Sequence, residues 1–259
     1  MSPPPDNHEP EEQLAEGTLM SHLLELRSRI MKAVLAVIVA LLGLMPFMNT
    51  VFEYVSKPLR EALPEGSEMI VTDVAAPFLV PFKTVFFVAI FIAMPVVLFQ
   101  VWQFVAPGLY KREKRFAIPL MASSIVLFYT GIAFAYFLVF RVMFAFFASV
   151  TPDGVAMTPD ISAYLSFVLG IFLAFGLAFE VPIATVMLIW SGLVSIKTLT
   201  KARPYMFLGA FVVGMFLTPP DVFSQTLLAV PMYLLYEGGL IMARFMLPEK
   251  TAVEEEVET

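Results

Sequence analysis

The feature that most constrains this chain is a series of apolar runs too long to hide inside a soluble fold. Residues 30–47, 78–105, 116–147 and 164–190 form runs of 18, 28, 32 and 27 residues. A helix rises about 1.5 Å per residue and a bilayer core is about 30 Å thick, so about 20 apolar residues suffice to cross. The first run is just long enough. The next three exceed the requirement and are expected to tilt or project beyond the membrane. Two shorter runs follow, residues 205–217 and 222–236, divided by Thr218-Pro219-Pro220-Asp221.

Composition agrees with a lipid-facing surface. Hydrophobic residues make up 59% of the chain and charged residues 15%, against about 45–50% and about 25% in soluble domains. There is no cysteine, which excludes disulfide scaffolds, thiol nucleophiles and cysteine zinc sites. The two histidines, His8 and His22, lie outside the apolar runs, which argues against haem ligation and zinc hydrolysis. No phosphate-binding glycine loop, nucleophile elbow or H-E-x-x-H pattern occurs. The sequence reads as a membrane protein that is not an enzyme, with no cofactor and no nucleic-acid partner.

The net charge of −6 resides largely in the two ends. Residues 1–17 and 248–259 are acidic, lack apolar periodicity and are expected to be disordered tails around a membrane domain at 18–247. The acidic start, with no small-residue cleavage pattern after the first apolar run, does not read as a signal peptide.

Basic residues set the expected orientation. Arg27, Arg29 and Lys32, then Lys111, Arg112, Lys114 and Arg115, then Lys197, Lys201 and Arg203, then Arg244 and Lys250 share one side if the spans alternate. Lys57 and Arg60 occupy the other. This bias of twelve to two puts both termini in the cytoplasm. The expected architecture is all-α with six transmembrane helices, the last two short; four spans plus a re-entrant hairpin is the alternative. The outer loop 48–77 carries Pro58, Pro64 and Gly66 as breaks, and Val51, Val55, Leu59 and Leu63 suggest a short interfacial helix there.

Few polar residues stand out. In an amphipathic helix at 18–30, Glu25 and Arg29 share a face at i, i+4. Glu25 is either half of a surface pair or a carboxylate open to a cationic partner. Glu113 stands among Lys111, Arg112, Lys114 and Arg115. It either balances them or presents a carboxylate to a guanidinium. Glu180 lies within the fourth apolar run, where an ionisable side chain is costly and usually functional. Gly176 one turn before it would leave a notch, and Pro182 would free the carbonyl of Ala178. The alternative for Glu180 is a structural carboxylate tied to a neighbouring helix. In the last hairpin Asp221 can cap the following helix. Gln225 is expected to bond to another helix, of this chain or of another.

Taken in order, these stretches resemble the TatC family, the core membrane subunit of the twin-arginine protein translocase. The resemblance rests on His22-Leu23-Leu24-Glu25-Leu26-Arg27-Ser28-Arg29, on Pro58-Leu59, and on residues 104–113. It continues through Phe175-Gly176-Leu177-Ala178-Phe179-Glu180-Val181-Pro182 and Leu217-Thr218-Pro219-Pro220-Asp221 to Gln225. It covers roughly residues 19–247. The resemblance implies a cup-shaped, six-helix protein of the bacterial cytoplasmic membrane that binds twin-arginine signal peptides of folded cargo. It further implies that Glu25, Phe104 and Glu113 hold the paired arginines and that Glu180 faces the concave membrane cavity. Met215, Thr218 and Gln225 then dock the single-span subunits TatA and TatB, while Pro58 and Asp221 are structural. Other copies of the chain, membrane lipid and the proton-motive force complete the implied system. A proton-coupled small-solute transporter using Glu180 is the competing expectation.

Overall fold

The computed structural model describes residues 9–61, 69–105, 114–152, 158–218 and 221–246. Every regular element among them is helical. Helix α1, Glu9–Leu44, merges the amphipathic segment and the first apolar run into one rod. Residues 9–17, expected to be disordered, are its first turns. Gln13, Ala15 and the glutamates around them are good helix formers, acids are favoured in the first turns of a helix, and Pro10 sits where no backbone donor is needed. Pro46 lies in a 3₁₀ turn, Met45–Phe47, that joins α1 to α2, Met48–Glu61. Pro58 falls in the second half of α2. Phe52 and Val55 turn the apolar face of α2 onto the core.

Helix α3, Ala76–Val105, is followed by α4, Lys114–Phe134, and α5, Phe140–Val150, joined by a π-helical turn at Ala135–Val139. Helices α6, Ile161–Ala178, and α7, Val181–Trp190, form the next rod, broken at Phe179 and Glu180. A short α8, Ile196–Lys201, leads into α9, Arg203–Leu217, and α10, Val222–Met246. Side-chain caps begin several of these. Asp160 accepts from the amides of Ser162 and Ala163, Ser195 from that of Thr198, and Asp221 from that of Ser224.

Among the described residues, five segments are long and apolar enough to cross a membrane: Leu23–Lys57, Ala76–Phe104, Ile118–Val150, Ile161–Trp190 and Val222–Met246. Helix α9, with 15 residues, reaches only about 22 Å at about 1.5 Å per residue. The last helix corrects the expectation of a short pair. It continues past Tyr236 to Met246 for a total of 25 residues. Glu237 on this helix is paired: Arg203 Nη2 reaches its Oε2 at 2.7 Å and the Tyr233 hydroxyl its Oε1 at 2.8 Å.

Helix α1 lies along α3, α4 crosses α6, and α10 is clasped between α7 and α9. The largest core cluster joins Val139, Met143, Leu165, Ile171, Phe175 and Leu228, all essentially inaccessible. The α4–α6 crossing depends on two glycines. A Cβ on Gly176 would stand 2.6 Å from the Phe128 ring, and one on Gly131 would strike the carbonyl of Phe175.

Candidate functional site

Three residues, Glu25, Arg29 and Gln103, meet where α1 passes the last turn of α3. Helical spacing puts Glu25 and Arg29 on one face of α1. Arg29 donates from Nε at 3.0 Å and Nη2 at 2.5 Å to the same oxygen, Glu25 Oε1. Its remaining arm, Nη1, donates to Gln103 Oε1 on α3 at 2.6 Å. Arg29 therefore pins Glu25 beside the residue that precedes Phe104, which is itself half-buried. Gln103 gave no signal in the sequence, because its importance lies in a contact across 74 positions.

The pair does not lock Glu25. Its side chain is 35% exposed, so solvent and an incoming partner can still reach it. A carboxylate offers about four lone-pair sites on two oxygens. Among the described residues only Oε1 of Glu25 is engaged, so a second guanidinium has a place to bind. Glu113 lies outside the described residues.

A second polar point sits within the α6–α7 rod. The Ser124 hydroxyl on α4 donates to Glu180 Oε2. Glu180 Oε1 is buried with no hydrogen-bond partner among the described residues. Here one expectation fails. The notch beside Gly176 is filled by the fully buried Phe128 ring, because the absent side chain is used to bring α4 and α6 together. Ser124, invisible in the sequence as one polar residue in an apolar helix, is the partner that α4 supplies.

The α9–α10 hairpin separates the three residues expected to dock partners. Met215 is exposed. Thr218 is buried, and its hydroxyl donates to the Gly214 carbonyl at 2.9 Å. Gln225 Nε2 donates to the Phe211 carbonyl of α9 at 2.9 Å, so it bonds across to another helix of this same chain. Asp221 caps α10 through Oδ1, bonding the Ser224 amide at 2.7 Å. Its Oδ2 and the Ser224 hydroxyl are buried without partners among the described residues.

The family described as Sec-independent protein translocase protein (TatC) matches residues 21–231. A protein of that name from Azotobacter chroococcum mcd 1 is 61% identical over 222 residues, covering 86% of this chain and 87% of the relative. Its counterpart from Escherichia coli (strain K12) is 55% identical over 227 residues, covering 88% of each. The fold is similar to a crystal structure of the twin arginine translocase receptor TatC, with a TM-score of 0.79 and 36% identity, covering 86% of this chain and 98% of that one. These relatives are translocase components, not catalysts. With its five apolar crossing segments and a family match over most of its length, the chain is an integral inner-membrane protein and belongs to the TatC family of Sec-independent protein translocases.

Proposed function

We propose that this chain is the signal-peptide receptor and assembly platform of twin-arginine translocation, with Glu25, Phe104 and Glu113 receiving the paired arginines of folded cargo. The observation that carries the reading is the Arg29 bridge, which orients Glu25 near the end of α3 and leaves its second oxygen without a partner among the described residues. Guanidinium pairs bidentately with carboxylate in a geometry that a lysine ammonium cannot reproduce. Two carboxylates on adjacent segments suit two adjacent arginines, and the Phe104 ring offers a face on which a guanidinium can stack.

In this reading α9 crosses as a short sixth span, both termini are cytoplasmic, and the end 248–259 is a solvated tail. The charge bias supports that orientation. Met215, Thr218 and Gln225 mark the hairpin that recruits TatA and TatB, with Met215 at its exposed surface and the other two holding its shape. The complex contains further copies of the chain, and the proton-motive force drives export. Membership of a translocase family does not favour the proton-coupled transporter. The deciding experiment is site-specific crosslinking from Phe104 and Glu113 to a signal peptide. An Arg-Arg peptide is expected to crosslink strongly and its Lys-Lys version weakly. Equal yields from both would overturn the assignment.

A further inference from the structure

Helix α9 packs along α10 but scarcely touches α6, and the gap is a partly open cavity of about 440 Å³. Its walls are apolar: Leu177 and Val181 on one side, Met206, Gly209 and Val213 of α9 on the other, with Tyr233 of α10 between them. The size lies within the roughly 300–1,000 Å³ of small-ligand pockets. The cavity is partly open and lined almost wholly by apolar side chains. An extended apolar chain fits.

One end of the cavity is polar. Tyr233 lines it and donates its hydroxyl to Glu237, which also accepts from Arg203. Arg203 lies one turn before Met206 on the same face of α9. It has donors to spare, because among the described residues only its Nη2 is engaged and guanidinium carries five N–H groups. Lys201 and Arg244 are exposed at the same end of the antiparallel α9–α10 pair. Among the described residues this end thus carries Lys201, Arg203 and Arg244 with the acid Glu237, and basic pockets between membrane helices attract lipid phosphate.

We infer that this cavity is a phospholipid site: one acyl chain lies between α6 and α9, and the anionic headgroup rests on Arg203. The site is separate from the one proposed for signal peptides and does not depend on it. Gly209 makes the inference testable, because a Cβ there meets nothing within 4 Å. A leucine can therefore fill the cavity without displacing the protein, and it favours the helix over glycine.

Native mass spectrometry of the full chain in mild detergent, titrated with phosphatidylglycerol, reads the outcome. The wild type is expected to retain one lipid, and Gly209→Leu to bind it at least tenfold more weakly. Val213→Phe, which fills the same space from an exposed position, serves if Gly209→Leu does not fold. The neutral double variant Arg203→Gln with Glu237→Gln is expected to lose the preference for phosphatidylglycerol over diacylglycerol. Undiminished binding by both filled variants would overturn the inference. So would displacement of the lipid by millimolar inorganic phosphate, which would mark a free-anion site, or by a signal peptide, which would make the cavity part of the receptor.

Discussion

Asp160 and Thr72, 88 residues apart, clamp the segment before α3 to the start of α6. Asp160 Oδ2 accepts from both the hydroxyl of Thr72 at 2.6 Å and its amide at 3.0 Å, while Oδ1 caps α6. Backbone bonds from Ile70 to Pro159 and from Ile161 to Ile70 flank this clamp. One carboxylate thus sets both where α6 begins and which loop it holds.

That clamp carries a pH signature. The Thr72 hydroxyl, followed by the amides of Ala163 and Thr72, holds the Asp160 carboxyl at about 2 against an ordinary value of 3.8. A depressed folded-state pKa stabilises above the unfolded value and ceases to do so as pH falls toward the folded one. Asp160→Asn is expected to lower the melting temperature in detergent by a few degrees at pH 7. The difference from wild type should shrink between about pH 4 and 2. A gap that stays constant across that window would contradict the clamp.

At the receptor site, Glu25→Gln keeps the shape and removes the charge. Charge-assisted hydrogen bonds contribute about 1.5–3 kcal/mol, so binding of an Arg-Arg signal peptide is expected to weaken roughly 10–100-fold. Glu113→Ala is expected to act in the same direction, with membrane insertion intact for both. Titration calorimetry in detergent gives the comparison, and unchanged affinity in both single variants and the double variant would refute their role.

The two crossing glycines should differ in cost. Gly176→Ala meets a ring that can move, while Gly131→Ala meets a backbone carbonyl that cannot. Overpacking costs typically about 1–3 kcal/mol. Gly131→Ala is expected at the upper end or beyond, and Gly176→Ala at the lower end and partly rescued by Phe128→Leu. Thermal unfolding that ranks the pair in the opposite order would refute this account of the crossing.

Ser124 and Glu180 are expected to be coupled. Ser124→Ala strips Glu180 of its hydrogen bond, and leaving a buried polar group unsatisfied costs about 1–3 kcal/mol. Glu180→Gln retains an acceptor for the hydroxyl and should be milder. A double-mutant cycle on Ser124→Ala and Glu180→Ala should show the losses to be less than additive. Full additivity would mean the two groups do not interact.

Sequence alone was enough to establish a membrane-embedded helical protein, the approximate run boundaries and the family, because lipid imposes a length and polarity rule that can be read one residue at a time. Local spacing also carried Glu25 with Arg29 and the cap at Asp221. It did not extend the first helix back to residues 9–17, and it ended the last apolar run at Tyr236, whereas α10 runs on past Glu237. In the latter case the decisive partner, Arg203, lies 34 positions away.

The tertiary structure decided what each isolated polar residue does. Gly176 reads as a notch until Phe128 is seen to fill it, and Glu180 stands alone until α4 brings Ser124. Arg29 reads as half of a surface pair until α3 places Gln103 within reach. Helical periodicity reports which way a side chain faces on its own rod, but not what the neighbouring rod carries at the same depth. That depends on how the helices cross, and so on contacts between residues tens of positions apart.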